Sequence, residues 1–523
     1  MSRVQDDRTL VREPVPAMTP GERAAPGGPA AALAFLRRHA LFACLLGAGA
    51  ALRAATLIAY RPALIYYDSV AYLKQQVSLL PDERRPLGYP GFVHGLLNLF
   101  GPDLAPIPAI QHLMGLLMAA LIYALLVRLR VPRWAAALAA APVLLDAYQL
   151  VIEQYVLSET LFETLIVGGC ALLLWRPRPH IAAGAVAGVL FAGAAVTRAN
   201  GIVVIGPALL ATVFLCWRPG RAGLERAASA TAGGVRAGLG RMRGVRPALP
   251  VAAALVVAFA LPVGAYATWY HHLHGTYSIT GYGGRFLYAR VTPFADCSRF
   301  AVPADERPLC PTQPVGHRPT LAGSTVNWYM FAGQGTDTRA GVSPLLRIGR
   351  ARARKIAGPF AKRVIVHQPL DYLRAVSHDF LRGFAPIRTR GHDELPIFRW
   401  QFRKEYPVFS PVTLDIVKQH GDGVPQVSPR LARFLHNYGR AVYLPGPLLA
   451  LGLVAGLLAA LGVGRARRSG LRSASFLFAG TGFVLFLSTV MTNEFTWRYV
   501  IPLLVLFPPA AALALTALLR RPT

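Results

Sequence analysis

Long apolar runs dominate the chain and are separated by short polar or basic segments. A helix needs roughly 20 apolar residues to cross about 30 Å of hydrocarbon, so each run of suitable length predicts a transmembrane helix. Such runs lie at 39–60, 107–127, 133–149, 158–175, 181–196, 202–217, 249–270, 441–463, 473–491 and 499–519. The fifth and sixth are short and form either two short helices or one broken pair. The pattern predicts an all-α polytopic membrane protein with about ten transmembrane helices.

The polar stretches divide the chain into four parts. Residues 1–36 are polar, rich in Pro and Gly, and lack the apolar core of a cleavable signal peptide, which predicts a disordered cytoplasmic tail. Residues 37–270 contain the first seven apolar runs, and residues 441–523 contain the last three. Between them, 271–440 is too polar to span a membrane, and we expect a large loop of mixed, mainly helical structure.

The placement of arginine predicts which side of the membrane each connection occupies. Positively charged residues are enriched in cytoplasmic loops, and with the N-terminus inside every connection assigned to the cytoplasm is basic. The segment 218–248 is the clearest case, because its only acid is Glu225. Both termini are then cytoplasmic, and the loop 271–440 is extracytoplasmic. These features favour a multi-pass protein of the cell (inner or plasma) membrane.

Composition agrees with a membrane location and argues against a nucleic-acid partner. The 523 residues are 54% hydrophobic and only 15% charged, which is less charge than a soluble surface of this size needs. The net charge of +30 is spread over the connections between apolar runs and is not gathered on one soluble domain. We therefore interpret it as an orientation signal and an attraction to anionic membrane lipids.

The long polar loop carries two further signals. Cys297 and Cys310 lie outside the apolar runs, and a disulfide between them would require an oxidising compartment. The segment 347–364 is rich in Arg and Lys. It is either an amphipathic helix on anionic lipid or a basic helix exposed to water.

A carboxylate follows the first apolar run and is surrounded by aromatic residues. Asp68 lies between Tyr67 and Tyr72, and Tyr89 follows in a Gly-Tyr-Pro-Gly segment. At the membrane–water boundary such a carboxylate is partly desolvated and can act as a general base toward a hydroxyl. The alternative is that Asp68 caps a helix over 69–76.

Five short motifs occur along the chain in a fixed order. They are aromatic-Asp-Ser-x-x-Tyr at 67–72, Gly-Tyr-Pro-Gly at 88–91, Ser-Glu-Thr-Leu-Phe at 158–162, Thr-Arg-Ala-Asn-Gly at 197–201 and Trp-Arg-Tyr at 497–499. Their order and topology resemble the GT-C superfamily of membrane glycosyltransferases, closest to the branch of protein O-mannosyltransferases and lipid A aminoarabinose transferases. The resemblance covers about 39–270 and the final span. It implies a seven-helix catalytic module over 37–270, with its active site at the extracytoplasmic face of the membrane.

The same resemblance implies a reaction and roles for individual residues. A sugar would move with inversion from a polyprenyl-phosphate donor to an extracytoplasmic hydroxyl, with Asp68 as general base. Arg198 and Arg498, each at the outer end of a span, would bind the donor phosphate. Arg84 and Arg85 are further candidates for that phosphate. The donor sugar, and a protein, glycan or glycolipid acceptor, remain open.

The resemblance also bears on the substrate contacts and on whether the reaction needs a metal ion. Tyr67, Tyr72 and Tyr89 would line the substrate site, and Glu159 would either hold a sugar hydroxyl or pair with an arginine. Many relatives carry two adjacent acids in the first loop, whereas here Ser69 follows the first-loop acid. That departure puts a strict metal requirement in doubt, so no cofactor is predicted and a divalent cation stays open. Histidines at 271, 272 and 274 are adjacent and cannot all face one ion on a helix.

A polytopic transporter or flippase of a lipid-linked or small polar substrate is the alternative function. It predicts internal repeats and charges near the middle of the membrane. The chain shows no such repeat, since seven runs precede the long loop and three follow it. A ligase or polymerase of lipid-linked oligosaccharide shares the long outer loop but fits the motifs at 67–72 and 158–162 less well.

Overall fold

The computed structural model describes residues 37–216, 248–334, 341–420 and 424–519. The expectations for the tail 1–36, for most of the basic segment 218–248 and for the last residues of the C-terminus, 520–523, lie outside these residues. Within them nearly all of the regular structure is helical, and the sheet consists of β1 (Tyr60–Arg61) paired antiparallel with β2 (Gln426–Val427). The structure confirms the all-α polytopic fold predicted from the apolar runs.

The helices fall into the three regions that the polar stretches delimit. Those of 37–270 are α1 (Ala40–Ala59), α2 (Tyr67–Ser78), α3 (Gly88–Phe100), α4 (Pro106–Arg128), α5 (Arg133–Leu145), α6 (Ala147–Gln154), α7 (Glu159–Leu174), α8 (Ile181–Thr197), α9 (Ile205–Cys216) and α10 (Leu249–His274). Those of 271–440 are α11 (Gly283–Val291), α12 (Thr325–Phe331), α13 (Pro344–Arg347), α14 (Arg350–His367), α15 (Pro369–Arg382), α16 (Pro411–Lys418) and α17 (Pro429–Ala441). The last four are α18 (Gly446–Leu461), α19 (Arg472–Thr492), α20 (Ile501–Leu504) and α21 (Phe507–Leu519).

Each predicted apolar run corresponds to helical structure, but not every run is one full span. Among the described residues five helices are long and apolar enough to cross a membrane, or up to eight if each bent pair counts as one span. The bent pairs include α5 with α6, which meet at 47°. Helices α7 and α8 contain 16 and 17 residues, short of the roughly 20 that a straight span needs. The sequence predicted about ten spans, whereas the described helices provide five to eight by length and composition.

Small residues let α8 pack closely against α10. A Cβ added to Gly184 would lie 2.7 Å from the carbonyl oxygen of Val251, and Gly188 meets the backbone of Leu255 in the same way. Two glycines four residues apart lie on one helix face, the arrangement that allows transmembrane backbones to approach each other. At the end of α8, Thr197 packs against Gly88 of the first polar loop, where an added Cβ would lie 2.7 Å from the Thr197 hydroxyl oxygen.

The region 271–440 has an apolar core of its own. Ile356, Phe360 and Val364 of α14 are buried in this core, with α11 packed beside them. Because protein covers the apolar face of this helix, the structure favours a basic helix exposed to water over one lying on lipid. Cys297 and Cys310 form a disulfide in the same region, with Cα atoms 6.1 Å apart.

Candidate active site

Asp68 lies in the first turn of α2 and is free to bind charged groups because another residue caps that helix. The Ser69 hydroxyl accepts a hydrogen bond from the backbone N–H of Tyr66 at 2.9 Å, which is the capping contact. The Asp68 carboxylate instead accepts hydrogen bonds from Arg85 and from Arg498, the latter at 2.6 Å. The structure thus assigns the cap to Ser69, and Asp68 to an ion-pair cluster.

Glu159 is the second acid of this cluster and is fully buried at the start of α7. Its carboxylate accepts hydrogen bonds from Arg198 and from Arg498. Arg498 consequently bridges the two acids, donating to Asp68 through one nitrogen and to Glu159 through another. Four residues from distant parts of the sequence meet here, together with Arg85.

We call Asp68, Arg85, Glu159, Arg198 and Arg498 the arginine–carboxylate cluster. Three guanidinium groups face two carboxylates, so the cluster carries one excess positive charge. Burial alone would raise the pKa of Asp68, but the charges of Arg85 and Arg498 outweigh burial and hold that pKa well below its usual value. Asp68 is therefore an ionised carboxylate.

Exposure shows which side of the cluster a ligand can reach. The side chains of Asp68, Arg85 and Arg198 are 19%, 22% and 17% exposed, whereas those of Arg498 and Glu159 are 7% and 0% exposed. The first three therefore form an open edge, and the last two form its floor. An anion arriving from outside would meet Arg85 and Arg198 beside Asp68.

Residues of the long loop fix the position of Arg498. The Trp400 ring lies under the Arg498 guanidinium, 5.3 Å from its carbon, and the Trp400 indole N–H donates to Thr496 at 2.9 Å. Trp497 donates to the carbonyl oxygen of Thr389 at 2.8 Å. The sequence analysis missed Trp400, because a single tryptophan in a long loop carries no motif.

The three tyrosines predicted as substrate contacts occupy different positions. Tyr72 lies at the cluster, where its hydroxyl is 3.1 Å from that of Ser158 and Arg85 stacks on its ring. Tyr89 is fully buried behind it and donates to Gln111 at 2.7 Å. Tyr67 points away and donates to the Phe409 carbonyl oxygen at 2.7 Å. Of the three, only Tyr72 contacts the cluster.

Arg84 and Arg85 point to different places although they are adjacent. The Arg84 Nε donates to the Tyr282 hydroxyl at 3.1 Å, and a terminal nitrogen donates to Gln334 at 3.2 Å. Arg84 therefore contacts the long loop and lies outside the arginine–carboxylate cluster. This placement does not support its expected contact with the donor phosphate.

A second buried network of charged groups lies among the helices. Glu153 accepts hydrogen bonds from Arg53 and His112, each at 2.8 Å, and all three side chains are almost fully buried. Arg53 also donates to the carbonyl oxygens of Val143 and Leu144, so this buried network joins α1 to α5 and α6.

The described residues contain no group of three His, Cys, Asp or Glu placed to hold a metal ion. His274 lies 2.8 Å from the Pro81 carbonyl oxygen, and His271 stacks on Tyr277. Both carboxylates of the cluster are already occupied by guanidinium groups. Among the described residues, the positive charge beside these carboxylates is that of Arg85, Arg198 and Arg498.

Comparison with known protein families gives a match over part of the chain. Residues 108–235 match the family model described as dolichyl-phosphate-mannose-protein mannosyltransferase. The match contains Glu159 and Arg198 of the cluster, while Asp68 and Arg498 lie outside it. It confirms the resemblance to GT-C membrane glycosyltransferases of the protein O-mannosyltransferase type. Comparison with curated proteins and with solved structures gave no match.

Proposed function

We propose that the protein transfers a sugar, with inversion, from a polyprenyl-phosphate donor to a hydroxyl of an acceptor, and that the arginine–carboxylate cluster is its active site. The observation that carries the proposal is the excess positive charge of this cluster at the open edge beside Asp68. The family match supports a membrane glycosyltransferase that uses a polyprenyl-phosphate sugar.

The charge of the cluster suits the charge of the donor. A polyprenyl-phosphate sugar is a phosphodiester with one negative charge, which the single excess positive charge would neutralise. Arg198 and Arg85 line the open edge and can donate paired hydrogen bonds to phosphate oxygens. We propose that these arginines, with Arg498 below them, hold the donor phosphate without a divalent cation.

Binding of the donor would also prepare Asp68 to act as a base. In the empty site Arg85 and Arg498 lower the proton affinity of Asp68. A phosphate that draws these guanidinium groups toward itself would weaken their hold on the carboxylate, and its own negative charge would raise the pKa of Asp68. The base would thus become effective only when the donor is present.

The reaction step then follows from these positions. The acceptor oxygen attacks the anomeric carbon of the sugar while its proton passes to the Asp68 carboxylate. The bond between the anomeric carbon and the phosphate oxygen breaks, and polyprenyl phosphate leaves with the electron pair. Arg198 and Arg498 stabilise the charge that develops on that oxygen. Attack from the face opposite the leaving group inverts the anomeric configuration.

We place this site at the extracytoplasmic face of the cell membrane, with both termini in the cytoplasm. The basic connections assigned to the cytoplasm support this orientation. The Cys297–Cys310 disulfide supports an oxidising compartment for the long loop. The description of the matched family names a dolichyl-phosphate-mannose donor and a protein acceptor, which makes these the first substrates to test.

The decisive test compares two acids of the first loop. Asp68→Asn should abolish transfer of radiolabelled sugar from a polyprenyl-phosphate donor, since an amide cannot take the proton. Asp82→Asn changes the same charge on an exposed residue of that loop and should retain wild-type transfer. Both purified variants are assayed in excess EDTA. Normal transfer by Asp68→Asn would refute its role as the base.

A further inference from the structure

A small cavity lies where the first loop, which carries Arg84, meets the long loop. Its polar walls come from Arg84, Tyr282, Arg285, Gln334 and Arg350. Arg84, which lines the cavity, is the neighbour of Arg85 in the sequence. Since consecutive Cα atoms are about 3.8 Å apart, the cavity and the cluster share one stretch of chain.

The cavity is strongly basic. Three arginines line it, and the nearest paired carboxylate is Glu83, 3.8 Å from Arg285. Glu83 is shared with Arg354, which lies 3.2 Å from it and outside the cavity walls. A single acid therefore cannot neutralise the arginines that face this space.

Arg285 is held as a preformed ligand. Its side chain is only 6% exposed, and one terminal nitrogen donates to the Arg350 carbonyl oxygen at 2.7 Å. Its Nε is buried and has no hydrogen-bond partner among the described residues. A buried donor without a partner is costly, and an arriving acceptor atom removes that cost.

Two further features favour an anion in this cavity. Two guanidinium groups lie near the Tyr282 ring, with the Arg285 carbon 4.6 Å and the Arg84 carbon 5.8 Å from the ring centroid, so the ring attracts both cations. Helix α14 begins at Arg350, with Gly349 as a cap that offers no side chain. The positive end of its dipole therefore faces the same space.

We propose that this cavity binds an oxyanion, a phosphate or a carboxylate, carried by the acceptor near the hydroxyl that receives the sugar. Assigning the anion to the acceptor rests on the proposed function, in which Arg85, Arg198 and Arg498 take the donor phosphate. The acceptor would then be an acidic molecule, held at two points on either side of the first loop.

Binding of radiolabelled inorganic phosphate to the purified full-length protein tests the cavity itself. Arg350→Gln should weaken this binding about tenfold, because it removes one charge-assisted contact. Arg352→Gln is the matched control: it lies on the same helix, loses the same charge and contacts Asp305 outside the cavity. Binding that is unaffected by Arg350→Gln but lost in Arg198→Gln would overturn the proposal.

Two activity measurements test the source of the anion. Inorganic phosphate should inhibit sugar transfer to acceptors in native membranes, but leave hydrolysis of the donor by water unchanged. Equal inhibition of both would place the anion at the donor site and overturn the proposal. Phosphate binding is also compared in nanodiscs of phosphatidylglycerol and of phosphatidylcholine. Loss of binding in phosphatidylglycerol would overturn the proposal, because an anionic lipid headgroup would then be the ligand of the cavity. Absence of transfer and hydrolysis in the wild type would refute the proposed function while leaving the phosphate-binding result intact.

Discussion

At the scale of single residues, the chemistry depends on one shared cation. Arg498 donates to Asp68 and to Glu159 at the same time, and Trp400 packs against its guanidinium. A ligand that moves Arg498 therefore changes the surroundings of both acids. Lysine could not replace it, because a single ammonium lacks the planar fork that reaches two carboxylates.

The depressed pKa of Asp68 leads to a pH prediction. Because that pKa lies below its usual value of 3.8, the carboxylate stays ionised in the folded protein as pH falls through the ordinary range of aspartate. Its contribution to stability is complete above the usual pKa, declines as pH falls below that value, and is gone below the folded-state pKa. The pH profile of kcat/KM reports the free enzyme and should show no acidic limb from Asp68 near neutrality. The pH profile of kcat reports the donor complex and should show the acidic limb of Asp68 at higher pH, since the bound phosphate would raise the pKa of Asp68.

Arg85→Gln should move the acidic limb of kcat/KM upward, because it removes the largest charge that lowers the pKa of Asp68. Initial rates at limiting donor over a range of pH measure this shift. Arg84→Gln is the matched control, since Arg84 contacts Tyr282 and Gln334 of the long loop and lies outside the cluster. Equal shifts in the two variants would contradict the placement of Arg85.

Sequence patterns predicted part of the site and missed part of it. Glu159 and Arg198 could be singled out because each lies at the end of an apolar run, where a charged residue is costly unless paired or functional. Asp68 could be singled out because it lies among aromatic residues in the loop after the first run. Arg84 and Arg85 could not be separated, since both follow the same run and only the packing of the long loop turns them apart. The position of Trp400 likewise depends on tertiary contacts.

At the scale of elements, the helix that ends just before Arg198, α8, packs closely against α10. Gly188 allows the backbone of α10 to approach where a side chain would collide with Leu255. A 17-residue helix tilts and packs according to its neighbours more than a full span does. Hydropathy predicted that α8 exists, but it could not predict this contact or the bends at α5–α6 and in the last span.

Gly188→Leu should therefore lower the yield of folded, detergent-soluble protein. Leucine favours a helix over glycine by up to about 1 kcal/mol, so any loss must come from the collision with α10. Gly264→Leu is the control on the partner helix, because a Cβ there meets no atom within 4 Å. Size-exclusion profiles of the two variants give the comparison; equal profiles would contradict the proposed close contact.

At the scale of the whole molecule, the long loop completes a site that begins in the membrane helices. Arg399 donates to the Tyr66 hydroxyl at 2.9 Å, and Tyr155 donates to the Arg399 carbonyl oxygen at 3.1 Å. These contacts join the loop to the residues beside Asp68. The sequence predicted a mainly helical loop of this length, whereas its docking on the first loop has no local signal.

The orientation of the molecule can be checked with introduced cysteines. Tyr277→Cys, exposed in the long loop, should react with a membrane-impermeant maleimide in intact cells. Val463→Cys, exposed beside the basic segment 464–472, should react only after the membrane is permeabilised. The exposed Cys44 is first replaced by Ser. The reverse labelling pattern would contradict an extracytoplasmic site.

The excess positive charge of the cluster also affects how the site empties. A phosphate monoester carries up to two negative charges near neutral pH, but the proton taken by Asp68 balances the second charge, so the transfer step itself leaves the site neutral. When that proton escapes to water, the cluster returns to one excess positive charge and no longer balances the two negative charges of the product. Product release would then require deprotonation of Asp68. Inhibition by added polyprenyl phosphate should therefore weaken as the pH is raised. Inhibition that grows stronger with pH would contradict this order of events.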